Sequence, residues 1–156
     1  MFKKLIYSKD HKDFGLLLLR VGIGIAFMTH GYPKLFMGGA AGLAKGLAAA
    51  GIPGGIFAAY LAGIAEFFGG IALILGLFFR PLTVIMAFNM LVALMFHVNR
   101  GDPFIEYSHA LESGILFISL IFIGPGAYSL DEKLFGPVEE HTECEPEPLG
   151  LKAKSA

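Results

Sequence analysis

Charge is scarce in this chain. Asp, Glu, Lys and Arg make up 16% of its 156 residues, whereas soluble domains carry about 25%. That is too little for a water-facing shell, and it argues equally against disorder. The net charge is −1, so no basic surface invites nucleic acid or another polyanion. There is one cysteine, Cys144, which excludes an internal disulfide and a two-thiol relay. Without a Cys-x-x-Cys there is no disulfide-exchange or iron–sulfur motif. A Walker-type phosphate loop is also absent, and Gly22-Ile23-Gly24 lies inside an apolar run instead of following a strand. Tryptophan is missing altogether, so interfacial aromatic belts must rest on tyrosines such as Tyr32, Tyr60, Tyr107 and Tyr128. What is abundant is apolar: 55% hydrophobic residues and 21 glycines. The composition is that of a small integral membrane protein.

Four continuous apolar runs cover about 15–36, 56–79, 82–98 and 109–128. Each approaches the ~20 residues that cross the bilayer as a helix. Continuity, not alternation, favours helices over a barrel. The expected fold is therefore all-α, a four-helix transmembrane bundle over residues 1–136. The first run is too long, and too interrupted by Arg20 and His30, to read as a cleaved leader. Residues 137–156 form an acidic tail, rich in Glu and Pro and expected to be disordered.

Lysines 3, 4, 9 and 12, Arg80 and Lys133 all flank one side of the predicted bundle, against Lys45 and Arg100 on the other. The positive-inside rule then places both termini in the cytoplasm. Arg80-Pro81 makes a tight turn, which predicts spans two and three as antiparallel neighbours. Between spans one and two, Leu43 to Ala50 is expected to form a short interfacial helix ended by Gly51-Ile52-Pro53-Gly54. Asn99-Arg100-Gly101-Asp102-Pro103 has a plain turn composition. Pairs such as Ala59/Gly63 and Ala65/Gly69 fit close helix packing.

The few ionisable groups inside the spans are the informative ones, because each is costly in hydrocarbon. They are Arg20, His30, Lys34, Glu66, His97, His109 and Glu112, with Asn89 as a neutral companion. Counted from the cytoplasmic ends, His30 and Glu66 lie roughly 20–22 Å up, and His97 and Glu112 roughly 24 Å up. One such group per span at one level predicts a shared polar site. Arg20 lies much lower and is expected to snorkel to the interface. At 100° per residue, Arg20, His30 and Lys34 share an arc of about 80°. On the fourth span Glu112 lies about 20° from Ser119 and about 60° from His109, so a polar stripe is expected to face inward.

Two histidines and two glutamates at one depth fit several chemistries. They can hydrogen-bond the carbonyls of a quinone and move its protons. They can instead ligate a transition metal, although a dinuclear carboxylate site wants more carboxylates. The plainest reading is a buried network in which each Glu pairs with a His. His30, Glu66, His97 and Glu112 are the candidate catalytic set, with Lys34, His109, Asn89 and Arg20 as candidate cofactor contacts.

Leu19-Arg20-Val21-Gly22 followed by His30-Gly31-Tyr32-Pro33-Lys34 resembles the first span of the DoxX family of small bacterial membrane proteins. Gly51-Ile52-Pro53 ahead of Glu66-Phe67-Phe68-Gly69-Gly70 resembles it too, as does Leu75-Gly76-Leu77 through Arg80-Pro81-Leu82. The resemblance covers about 15–135. It implies a four-helix bundle in the bacterial inner membrane. It also implies a redox link, since family members resemble the small subunit of thiosulfate:quinone oxidoreductase. The positions that carry over are Arg20, His30, Gly31, Lys34, Glu66 and Gly70, with no settled catalytic role attached. Two readings follow. In the first, the chain is a quinone-linked oxidoreductase subunit with a small-molecule site in the outer half of the bundle and a partner subunit to supply what it lacks. In the second, it is a non-enzymatic assembly factor or scaffold, packing against other proteins or copies of itself. A small transporter is a weaker third reading.

Overall fold

The computed structural model describes residues 9–136. Lys3, Lys4, the acidic tail and Cys144 lie outside the described residues. The elements are α1 (Lys9–Phe36), α2 (Gly39–Ala49), α3 (Gly55–Leu75), α4 (Phe79–Arg100), α5 (Phe104–Ile123) and α6 (Leu130–Phe135). No strand occurs among the described residues. Four of the helices, α1, α3, α4 and α5, are long and apolar enough to cross a membrane. In none of them is more than 33% of the most apolar stretch buried inside the protein, so hydrocarbon must supply the rest of the solvent. Phe57, Phe88, Ile105 and Phe122 are among the large side chains left facing outward.

The helix limits differ from the apolar runs for local reasons. The second run extends to Phe79, but α3 stops at Leu75, because Gly76 turns left-handed (φ 65°) and caps it. A Cβ at Gly76 would fall on the Arg20 guanidinium, so only glycine fits the position. Helix α4 then starts at Phe79 and carries Pro81 in its first turn, where a missing N–H costs nothing. The fourth apolar run covers about 109–128. The helix instead spans Phe104–Ile123, started by extended Pro103 and ended by Gly124-Pro125.

Helix α1 packs most extensively on α3, and α4 on α5, while α3 and α4 adjoin more loosely. The α1–α3 approach is set by glycine. A Cβ at Gly70 would stand 2.5 Å from the Gly24 carbonyl oxygen, and one at Gly24 would stand 2.6 Å from that of Gly70. Dispersion between two such backbones is what holds membrane helices together, since lipid offers no hydrophobic drive. Phe27, Leu73, Phe79, Met86, Met90, Phe117 and Leu120 fill the bundle core. Ala40, Leu47 and Ala59 form a smaller cluster under α2.

One end of the bundle is latched. Asp131, on α6, accepts hydrogen bonds at 2.8 Å from the N–H groups of both Phe78 and Phe79. It thereby caps α4 from far along the chain, where an anion also complements the helix dipole. Phe78 is held left-handed there (φ 47°). The Asp131 N–H donates to the Gly76 carbonyl at 3.0 Å. Arg20 does not snorkel. It is fully buried and donates from Nη2 to the Tyr128 carbonyl at 2.6 Å. At α1's start, Asp13 accepts from the Ala127 N–H at 3.1 Å.

Candidate ligand site

The opposite end, below α2 and the α4–α5 turn, holds the polar groups. A cavity of about 380 Å³ is lined there by residues of all four spanning helices. Helix α1 contributes His30 and Lys34, α3 Glu66, α4 His97, and α5 Glu106 and His109; Phe27, Met90, Ala93 and Ala110 form its apolar wall.

Its centre is an ion pair. Both carboxylate oxygens of Glu66 accept from the Lys34 ammonium. Glu66 is 5% exposed, and its Oε1 also accepts from the Asn89 amide at 3.3 Å. Thus α1, α3 and α4 are tied at one level. In so apolar a setting each charge depends on the other, because an orphaned ion there would be costly.

Two histidine arrangements flank the pair. His30 and His109 face each other across the α1–α5 boundary with ring centroids 5.1 Å apart, and Phe27 stacks on His109 at 5.9 Å. Both imidazoles keep exposed surface. His97 is held differently: its Nδ1 lies 2.8 Å from Asp102 Oδ2. An ionised Asp102 only accepts, so Nδ1 carries the proton and a neutral His97 leaves Nε2 as an acceptor. Gly101 (φ 72°) turns the chain so that Asp102 folds back onto the last turn of α4. Arg100 Nε stands 3.6 Å from the same carboxylate oxygen.

A second space meets the first. An apolar groove of about 1000 Å³ runs along the loose α3–α4 boundary, from Leu43 and Leu47 of α2 down to Leu77 and Pro81. Lys34, Glu66, Ala93 and His97 line both spaces.

Of the eight candidate residues, His30, Lys34, Glu66, His97 and His109 come together in the cavity, and Asn89 joins through Glu66. Arg20 is at the other end. Glu112 is also apart: it is exposed, and α5 turns Ala110, Ser113, Phe117 and Leu120 inward. The Glu112/Ser119 stripe, expected from its helical phase to face inward, faces outward. Two residues were missed, Glu106 and Asp102. Once Pro103 is read as the start of α5, Glu106 falls in its first turn. The Gly101-Asp102 pair after His97 was a cue to the fold-back. Among the described residues, no three His, Cys, Asp or Glu side chains group closely enough to hold a metal ion.

Residues 15–99 match the DoxX family. The chain belongs to the DoxX family. Inner membrane protein YqjF of Escherichia coli is 35% identical over 129 residues, covering 81% of this chain and 96% of that protein. Inner membrane protein YphA of the same organism is 31% identical over 135 residues, covering 78% and 95%. An uncharacterized protein of Haemophilus influenzae is 34% identical over 133 residues, covering 81% and 96%. No solved structure matches significantly. Four apolar helices and these DoxX relatives make the chain a multi-pass protein of the bacterial inner membrane. The DoxX-matched segment includes Arg20, His30, Lys34, Glu66, Asn89 and His97, whereas Asp102, Glu106, His109 and Glu112 follow it.

Proposed function

We propose that this DoxX protein binds a quinone-like molecule, its carbonyl-bearing head in the polar cavity and its apolar chain in the α3–α4 groove. The observation that carries the reading is the cavity itself: every spanning helix spends an ionisable side chain on one space of about 380 Å³. Such groups are retained in hydrocarbon where they pair or serve a ligand. The groove that shares Lys34, Glu66, Ala93 and His97 with the cavity favours a ligand with a head and a tail over a water-soluble one.

In this reading the His30 and His109 imidazoles donate to the head's carbonyl oxygens, and His97 Nε2 takes or returns a proton. Lys34 and Glu66 fix the wall between head and tail. The chain carries no motif for a flavin or cluster, so electrons pass to or from a partner subunit. The lysine asymmetry orients both termini to the cytoplasm, with α2 lying at the outer interface and the cavity in the outer half of the bundle.

The test separates binding from folding. Glu66→Gln alone orphans Lys34 and should destabilise the bundle by about 2–3 kcal/mol. Adding Lys34→Met removes the orphan and should restore most of that stability, while decyl-benzoquinone binding stays at least about tenfold weakened. Thermal unfolding and quinone titration in lipid nanodiscs read the two quantities. Wild-type affinity in the folded double variant would sink the proposal.

A further inference from the structure

The four spanning helices fall into two pairs. Gly24 and Gly70 bring the backbones of α1 and α3 together, and α4 lies against α5. The boundary between the pairs, α3 against α4, is built differently. Small residues recur along α3 at Ala58, Ala62, Ala65, Gly69 and Ala72, all lining the groove. That spacing lets helix backbones meet where it is used for packing. Here they do not meet. A Cβ at Gly69 would find only side-chain atoms of α4, Met86 Sδ at 2.9 Å and Leu82 Cδ1 at 3.3 Å. The outer side of the same boundary stays open as the groove of about 1000 Å³, and Phe68, Ile85 and Phe88 along it are exposed.

Helix α4 is fixed at its two ends. Asp131 caps its start at Phe78 and Phe79, and near its finish Asn99 donates to the Ala50 carbonyl at 3.0 Å. Between these ties, among the described residues, one hydrogen bond joins α4 to α3. It runs from the Asn89 amide to Glu66 Oε1 at 3.3 Å, long for an N–H···O bond. Lys34, the other partner of Glu66, belongs to the α1–α3 pair, so the ion pair stays whole when Asn89 lets go. Asn89 lines the groove, and Glu66 lines both groove and cavity. The bond therefore stands where the two spaces meet.

We propose that the ligand enters the cavity sideways from the bilayer, between α3 and α4, and that the Asn89–Glu66 hydrogen bond closes this gate. The proposal rests on the quinone-like reading of the site. A molecule with an apolar chain is already dissolved in lipid, and this route never takes its chain through water. Opening requires α4 to bow outward between its fixed ends. It breaks one hydrogen bond and orphans no charge. Asn89 is thus a gating residue and not a contact for the head.

The test follows rates. In full-length protein carrying Cys144→Ser, Gly69→Cys and Met86→Cys place two thiols across the boundary, one turn from the gate. A Cβ at position 69 would stand 3.8 Å from Met86 Cγ, where the second thiol would lie, within reach of a disulfide. Stopped-flow quenching of the five tyrosines by decyl-benzoquinone in liposomes reads association and dissociation. The oxidised form should show both rates at least about tenfold slower than the same protein reduced with dithiothreitol. Asn89→Ala should raise both rates about fivefold. Unchanged helical content in each variant checks folding, and Asn89→Ala decides the matter if the cysteine pair does not fold. Rates indifferent to oxidation would overturn the gate and place entry at the Glu106 mouth of the cavity. Weakened affinity at an unchanged association rate in the oxidised form would overturn it too, as would wild-type rates in Asn89→Ala. Wild-type protein that binds no decyl-benzoquinone overturns the reading of the cavity itself, and the gate with it.

Discussion

The two ends of this bundle handle polar groups in opposite ways. At the α6 end they are spent on the backbone: Arg20 on the Tyr128 carbonyl, Asp131 on the N–H groups of Phe78 and Phe79, Asp13 on that of Ala127. Side chain meets main chain, although the Nε and Nη1 of Arg20 stay buried without a hydrogen-bond partner. At the α2 end side chains meet side chains, Lys34 with Glu66 and Asn89, His97 with Asp102, around a space of about 380 Å³. The first arrangement satisfies orphan helix termini and joins segments far apart in sequence. The second leaves the His30 and His109 imidazoles lining a shared cavity. Polar residues in a membrane bundle therefore divide by their partners more than by their depth.

Substitutions can break that division. Arg20→Ala should have the largest effect on stability, about 3–4 kcal/mol, because it empties a fully buried volume and frees the Tyr128 carbonyl. Thermal unfolding in detergent checks it, and quinone affinity of the folded fraction should stay within about twofold. Asp131→Ala comes next, at about 2 kcal/mol, since it uncaps α4 and releases the left-handed Phe78. Hydrogen exchange should show the loss at the first turn of α4 before anywhere else. Smallest in stability is His30→Ala, within about 0.5 kcal/mol, as that side chain is exposed within the cavity. Its binding loss should be about tenfold, one charge-assisted or polar contact. A latch variant that lost affinity while folded, or a His30 variant that unfolded, would erase the distinction between the ends.

The sequence makes the four spans legible because continuous apolar runs have one physical use at that length. It also exposes His30, Lys34, Glu66, His97 and His109, since ionisable groups in such runs are few. The helix ends were less legible. A hydropathy window carries no mark for the left-handed turn at Gly76 or the extended Pro103, and both moved a boundary by several residues. The polar stripe predicts Glu112 facing inward, but α5 buries Ala110, Ser113, Phe117 and Leu120 instead, because apolar packing and not the stripe decides which face the bundle takes. Arg20 was read as a snorkelling side chain because its acceptor, the Tyr128 carbonyl, lies 108 residues away. Backbone acceptors at that separation leave no trace in local pattern. Asp102 was hidden for the converse reason: its neighbourhood looked like any turn.

The Asp131 cap has a consequence in time. A chain emerging from the ribosome presents Phe78 and Phe79 long before Asp131, which follows Phe78 by 53 residues. Throughout that interval the start of α4 has no carboxylate to close it and the left-handed Phe78 no clasp. Membrane insertion of the four long helices can run ahead, but the α3–α4 turn closes only when Asp131 arrives. Closure of this turn thus waits for α6, the last helix among the described residues. A product cut short before α6 leaves the first N–H groups of α4 without this acceptor, whereas one that includes Asp131 does not.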